Sequence, residues 1–343
     1  MWCHIIGNHS RNTKNNLIKA KLICFANIRR SMTNEMQKLV PGSNNSSFIA
    51  NNQEVSDRYG NDGEFQSSLF KKIFKYYKRR APPPDLNGVF DPSSNIDCKT
   101  LCSQQLVSTC VGLVELEQLG LKPLAEWRLI TIKGRPGLYI LPNLLRNDAV
   151  EMWLRRVLLY AEPPNVTNLT AHGFSPQRNV LKEAGKSLRW TTLGVAYNWE
   201  TKEYPQTGDQ LPAELVHFAK VITHVLGLGV MNADAAIVNY YPPKSTLSPH
   251  VDRSERTDAP LVSLSLGQSA VYLSGGKSLD DDVVPLWLRS GDVLVMHGAQ
   301  RFVYHAVAAI VSDRRFAIED PLLEQFANSS RVNITIRQVN NVQ

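Results

Sequence analysis

From Ala236 onward the chain is a succession of short apolar runs separated by turn residues, a pattern that excludes long helices from its last third. The runs are Ile237–Tyr241, Leu261–Leu266, Ala270–Leu273, Leu286–Leu288, Val293–Met296, Phe302–Val307 and Val332–Val339. Pro242-Pro243, Gly275-Gly276 and Ser290-Gly291-Asp292 punctuate them. Runs this short between Pro and Gly read as β-strands. Upstream, Gly137-Leu-Tyr-Ile-Leu-Pro142 also reads as a strand. Asn147-Asp148 caps a helix to about Tyr160 with Val150, Trp153, Leu154, Val157 and Leu158 on its apolar face. A second helix is expected from Ala213 to Leu226, and the apolar spacing of residues 100–122 predicts another. The fold class is α+β: a double-stranded β-helix (jelly roll) core with helices packed against one face.

The first third differs in charge. Residues 1–80 hold 14 Lys and Arg against 5 Asp and Glu, whereas residues 81–343 hold 24 against 26. Between Met1 and Asn34 there are six basic residues and no acidic one, with Leu17, Ile18, Leu22, Ile23 and Phe25 interspersed. Such a basic amphipathic start reads as a mitochondrial transit segment (1–33) or as a disordered basic tail. A start at Met32 would remove it and give a second form, nuclear or cytoplasmic. Residues 34–64 are polar and Gly-, Ser- and Asn-rich and are expected to be a disordered linker. Residues 65–136 are expected to form a basic helical extension. In it Phe70, Phe74 and Tyr77 recur at helical spacing opposite Lys71, Lys72, Lys75, Lys78 and Arg79, and Pro82 to Pro84 end the helix near Arg80. A basic face laced with aromatics suits a phosphate backbone, and a docking helix with solvated charges explains it equally well. No apolar run is long enough to span a membrane. Five cysteines do not form an even disulfide framework, and Cys98 and Cys102 lack the second pair a zinc site needs.

His250 and Asp252 are two apart, so in extended backbone their side chains leave the same face. A histidine on a later strand would complete two imidazoles and a carboxylate, the facial triad of non-haem Fe(II) oxygenases. His305 lies in strand context, and His297 competes for the third place. His217 and His224 read as ordinary helix residues. In Arg331-Val-Asn-Ile-Thr-Ile-Arg337 the odd positions put Arg331, Asn333, Thr335 and Arg337 on one face, either a solvated edge or the lining of an anion pocket. A guanidinium grips a carboxylate through two parallel hydrogen bonds, which a small dicarboxylic cosubstrate requires. Asn239 and Tyr241 share a face in the same way.

Asn239-x-Tyr241, His250-x-Asp252, Ser263-Leu-Ser-Leu-Gly267, Gly291-Asp292-Val293, His305 and Arg331-x-Asn333-x-x-x-Arg337 resemble the AlkB family of nucleic-acid dioxygenases in order and spacing, over residues 137–343. The likeness is greatest to the subgroup of the animal AlkB homologue one. The resemblance implies that His250, Asp252 and His305 are the catalytic iron ligands. It implies that Asn239, Tyr241, Arg331, Asn333 and Arg337 bind or surround 2-oxoglutarate, and that O2 is consumed. Decarboxylation of the cosubstrate to succinate would be coupled to hydroxylation of a methyl group on a base. An N-methyl so oxidised leaves as formaldehyde, whereas a C-methyl keeps its oxygen. For substrate contact the resemblance points to Trp190, Tyr197 and Tyr204. Trp190 reads equally as a core residue, and Tyr204, beside Pro205, as an exposed loop residue. Arg253 is a candidate phosphate contact or a plain surface cation, and Glu255 a candidate polar contact to the base. Where the bacterial pattern has an acidic base-reading residue, this chain has Ser254, so base specificity does not carry over. The expected substrate is tRNA, through 1-methyladenosine demethylation or 5-methylcytidine oxidation. N6-methyladenine in unpaired DNA and hydroxylation or demethylation of histones or other proteins are the alternatives, and a binding module without chemistry is the non-enzymatic one.

Overall fold

The computed structural model describes residues 67–94, 100–107, 111–171, 173 and 176–340. The expected transit segment (1–33) and the expected linker (34–64) lie outside the described residues. Among the described residues thirteen strands are formed: β1 (Leu101–Gln104), β2 (Leu129–Ile132), β3 (Leu138–Leu141), β4 (Val166–Thr167), β5 (Trp190–Gly194), β6 (Ala235–Tyr241), β7 (Leu247–His250), β8 (Leu261–Gly267), β9 (Ser269–Ser274), β10 (Val284–Leu288), β11 (Val293–Met296), β12 (His305–Val311) and β13 (Arg331–Arg337). They make a nine-stranded sheet, in the order β1-β2-β3-β11-β8-β13-β6-β5-β4, and a four-stranded sheet, β10-β9-β12-β7. Neighbouring strands run antiparallel. The helices are α1 (Leu69–Lys78), α2 (Leu113–Gln118), α3 (Asn147–Tyr160), α4 (Asn168–Ala171), α5 (Val180–Ala184), α6 (Ala213–Val225) and α7 (Pro321–Ser329).

Strand β13 is central in the large sheet, between β8 and β6. Its alternate residues Val332, Ile334 and Ile336 are fully buried in a core that includes Trp153 and Val157 of α3, Phe218 and Ile222 of α6, and Leu323 of α7. Its other face is polar and yet also buried, so the row from Arg331 to Arg337 is interior and not a solvated edge. A second core, with Ile140, Leu261, Tyr272, Leu286, Leu294 and Val307, draws on strands of both sheets. The outward residues of the small sheet, Val271, Leu273, Ala306 and Ala308, form a third core with Phe70, Phe74 and Tyr77 of α1. Helices therefore cover both sheets, not one face alone.

Several expectations are corrected. Phe70, Phe74 and Tyr77 of α1 are buried in packing, while Lys71, Lys75 and Lys78 face solvent. The helix stops at Lys78, with Arg79 already extended. Residues 100–122 are not one helix: Leu101–Gln104 pairs with β2 at the sheet edge, and a six-residue helix starts only at Leu113. Leu113 and Val114 are exposed, so the apolar spacing did not mark one buried face. Both β1 and β2, from the expected helical extension, belong to the large sheet. The residue at the N-cap of α3 is Arg146, not Asn147, and its side chain pairs with Asp148. Phe302 ends a 3-10 turn over Gly298–Phe302, so that strand begins at His305. Cys102 is a free thiol, and among the described residues no helix is long and apolar enough to cross a membrane.

Two predictions follow from packing and burial. Phe70→Ala should cost about 3–5 kcal/mol in urea unfolding, and Lys75→Ala should stay within about 0.5 kcal/mol. Asp292 is 1% exposed, and its carboxyl accepts the backbone N–H groups of Asn143 (2.8 Å) and Arg289 (2.7 Å). Burial outweighs these bonds and pushes its pKa up to about 6. The folded state thus holds this proton more tightly than the unfolded state. The stabilisation is fully present below about pH 4 and is lost as pH rises through about 6. Compared with Asp292→Asn, the native protein should lose roughly 3 kcal/mol of unfolding free energy between pH 4 and pH 7, at 1.36 kcal/mol per unit.

Candidate metal centre and cosubstrate pocket

Strands β7 and β12 are neighbours, and their pairing sets His250 directly opposite His305. The ring centroids are 4.2 Å apart. Each Nδ1 lies against a backbone carbonyl, Ser248 O at 2.8 Å and Val303 O at 3.2 Å. A carbonyl accepts only, so each Nδ1–H donates and each Nε2 keeps its lone pair for the space between. Asp252 completes the group: Oδ1 is 3.8 Å from His250 Nε2 and Oδ2 is 3.8 Å from His305 Nε2. The three donor atoms lie within 4.8 Å of one another. Burial of Asp252 disfavours its charge, but Arg337, His305, His250 and Arg301 outweigh that and hold the carboxyl well below the usual range. Burial, then the neighbouring His250, pushes His305 down to about 4, so its imidazole is neutral near pH 7. Two imidazoles and an anionic carboxylate on one side of an ion fit Fe(II) and leave positions open. His297, just before the 298–302 turn, is not part of the cluster.

The polar face of the large sheet continues from this cluster. In register, Tyr241 opposes Arg331, which opposes Gly267; Trp190 opposes Asn239, then Asn333, then Ser265. Arg331 is 1% exposed. Its Nη2 donates to Ser265 Oγ at 3.0 Å, and its guanidinium carbon lies 5.1 Å from the centroid of the Tyr241 ring. Its Nε and Nη1 are buried without a hydrogen-bond partner. A buried guanidinium with two adjacent unused donors offers the paired N–H groups that a carboxylate can accept.

Asn333 and Arg337 share the face, and their side chains are hydrogen-bonded within the protein. Asn333 Nδ2 donates to Ser263 Oγ (2.6 Å) and Leu264 O (3.2 Å), and its Oδ1 accepts from Thr335 (2.9 Å). Arg337 donates through Nη2 to Asp252 Oδ2 (3.2 Å), through Nε to Glu255 Oε1 (2.9 Å) and through Nη1 to Thr335 O (3.1 Å). The nitrogens of Arg337 are thus taken by Asp252, Glu255 and Thr335, and the side-chain amide of Asn333 by Ser263, Leu264 and Thr335, so both brace the polar face. Tyr272, absent from the sequence-derived set, stacks on His305 with centroids 6.0 Å apart and points its hydroxyl to Met296 Sδ at 3.7 Å. The signal was available: it shares the inward phase of β9 with Ala270.

An aromatic groove of about 520 Å³ is lined by Trp190, Tyr197, Trp199, Tyr204 and Arg256. Trp190 is half-buried and its ring lies tilted against Trp199, centroids 4.7 Å apart at 33°. Tyr197 meets Trp199 edge-on at 4.8 Å. Trp199 is 44% exposed and was missed because an isolated Trp among polar residues carries no periodic signal. Tyr204 is corrected: it is 3% exposed, its ring packed at 5.0 Å from that of Tyr197, with its carbonyl held by Arg256 Nη2. Glu255 is corrected as well. Its side chain is 3% exposed and both oxygens are taken, by Arg337 and by Arg301 Nη2 at 2.9 Å, so it is not presented to a base. Arg253 is exposed. Ser254 Oγ donates to Tyr197 Oη at 3.4 Å, which ties the metal segment to the groove.

A family model described as the 2OG-Fe(II) oxygenase superfamily matches residues 137–337. The chain is 30% identical over 324 residues to nucleic acid dioxygenase ALKBH1 of Homo sapiens, covering 79% of this chain and 83% of that protein. It is 31% identical over 311 residues to the tRNA demethylase abh1 of Schizosaccharomyces pombe, covering 80% of this chain and 96% of the relative. It is 30% identical over 267 residues to the DNA N(6)-methyladenine demethylase ALKBH1A of Arabidopsis thaliana, covering 61% and 76%.

Isothermal titration separates the two halves of the site. Asp252→Ala or His305→Ala should abolish binding of a divalent cation such as Mn(II), whereas His297→Ala should keep it. Arg331→Gln should keep the cation and weaken 2-oxoglutarate by 10-fold or more, about 1.4 kcal/mol, the lower end for a lost charge-assisted hydrogen bond.

Proposed function

The chain belongs to the 2OG-Fe(II) oxygenase superfamily and, within it, to the AlkB nucleic-acid dioxygenases, and on that premise we propose that it oxidises methyl groups on tRNA bases. The reaction we favour is demethylation of 1-methyladenosine or oxidation of 5-methylcytidine. The observation that carries this reading is the Trp190–Trp199 groove, joined to the metal segment through the Ser254–Tyr197 contact. A base buried in a helix cannot reach a metal, and an unpaired or extruded one is held by stacking on aromatic faces. The likeness to a tRNA demethylase of which this chain spans 96% supports RNA. The Arabidopsis relative keeps N6-methyladenine in unpaired DNA as the second reading. The acid-free basic start supports a mitochondrial location, with Met32 as the start of a nuclear or cytoplasmic form.

In this reading His250, Asp252 and His305 hold Fe(II), and Arg331 takes a carboxylate of 2-oxoglutarate with Tyr241 and Asn239 beside it. Fe(II), with 2-oxoglutarate and O2, supplies the oxidation of the methyl C–H and the formation of succinate and CO2. The protein contributes orientation and dryness. The two Nδ1–H donations fix both imidazole rings, and Arg337 fixes the carboxylate. The buried face of β13 keeps water from competing for the guanidinium of Arg331.

Bulk tRNA incubated with the protein, Fe(II), ascorbate and 2-oxoglutarate, and analysed by nucleoside mass spectrometry, tests the reading. Loss of 1-methyladenosine, or appearance of oxidised 5-methylcytidine, is expected with the native protein and not with Asp252→Ala. Succinate released with every tRNA nucleoside unchanged would sink tRNA as the substrate and move the search to N6-methyladenine in unpaired DNA.

A further inference from the structure

Behind the metal-facing carboxylate lies a chain of four ionised side chains. Arg301 Nη2 meets Glu255 Oε2 at 2.9 Å, Glu255 Oε1 meets Arg337 Nε at 2.9 Å, and Arg337 Nη2 meets Asp252 Oδ2 at 3.2 Å. The side chains are 1%, 3%, 6% and 17% exposed from Arg301 to Asp252, so water screens little of this. The charges alternate and cancel. Arg301 also donates to the carbonyl of Ala259, and it sits in the 298–302 turn that leads into His305. The chain thus ties the segment carrying one metal ligand to the segment carrying another.

We propose that Glu255 and Arg301 are positioning residues that set Arg337 against Asp252 and so keep the Asp252 carboxylate available to the metal. This rests on the reading of His250, Asp252 and His305 as the metal centre. The physical need is plain. Arg337 placed alone beside Asp252 would compete with a divalent cation for the same negative charge. Glu255 draws off that competition by giving Arg337 a second anion on its Nε edge. With Thr335 O on Nη1, all three nitrogens are engaged and the guanidinium plane is fixed. Glu255 in turn is a buried anion between two cations, and Arg301 is the partner that balances the count. Partners of this kind orient the ligands of a metal and tune their charge.

The test uses the full-length protein and Mn(II), with bound metal read from the loss of the free-ion electron paramagnetic resonance signal. Native fold is checked by circular dichroism. Glu255→Gln leaves one surplus buried positive charge. It should weaken Mn(II) binding roughly 10- to 100-fold, the range for removal of a group that orients a metal ligand. Glu255→Gln combined with Arg301→Gln restores the charge balance and should bind Mn(II) more tightly than the single variant. A role in packing alone predicts the opposite order, because the double variant removes one more buried partner. Native affinity in Glu255→Gln, or a double variant no better than the single one, overturns the proposal. If Glu255→Gln does not fold, Glu255→Asp replaces it: it keeps the charge, withdraws it by one methylene, and must also lose affinity. Asp252→Ala runs alongside. If it binds Mn(II) as the native protein does, the metal-centre reading has failed. If it loses the ion while Glu255→Gln keeps it, only the proposal has failed.

Discussion

Everything in the site depends on one strand being buried on both faces. Strand β13 lies in the middle of the large sheet, so Val332, Ile334 and Ile336 can pack against the helices only if Arg331, Asn333, Thr335 and Arg337 turn inward. Two guanidiniums in a dry interior must each be met by an acceptor or an anion. Arg337 is met by Asp252 and Glu255, and Asn333 by Ser263 and Leu264. Arg331 is met by Ser265 at a single nitrogen. That unequal satisfaction, in a strand otherwise complete, is the observation from which the carboxylate pocket is proposed.

The small sheet has the complementary task of rigidity. Two of its strands carry the two histidines opposite one another, and the outer face of that sheet is sealed by Phe70, Phe74 and Tyr77. A helix whose basic face first suggests a phosphate backbone or a docking partner is, on its apolar side, a brace for the strands carrying His250 and His305. Its lysines remain solvated on the other side. Function and stability meet at the same residues because a ligand set on paired strands is only as precise as the core beneath it.

The strands of the carboxyl-terminal half were legible because their period of two is imposed by burial on a face and interrupted by Pro and Gly. His305 and Arg331 stood out for the same reason, as polar residues in buried strand positions, whereas Asp252 lies in the loop after β7 and stood out only by its spacing from His250. What sequence spacing does not carry is whether such a residue is there for chemistry or for a partner. The spacing of Asn333 and Arg337 does not show which acceptors they meet, and Glu255 reads as a candidate contact to the base until two arginines distant in the chain close on it. Tyr204 beside a proline suggested exposure, whereas Tyr197 and Arg256 fold over it. Residues 100–122 failed because a sheet-edge strand and a six-residue helix share apolar spacing with a longer helix.

The central claim is that one cation is held by His250, Asp252 and His305 while Arg331 holds the carboxylate of the same cosubstrate. Anomalous diffraction from crystals grown with Mn(II) and 2-oxoglutarate tests both parts at once. The account predicts one strong peak in coordinating contact with those three side chains, and cosubstrate density that reaches from the peak to Nε and Nη1 of Arg331. A peak elsewhere, or cosubstrate density that leaves Arg331 without a partner, would contradict it.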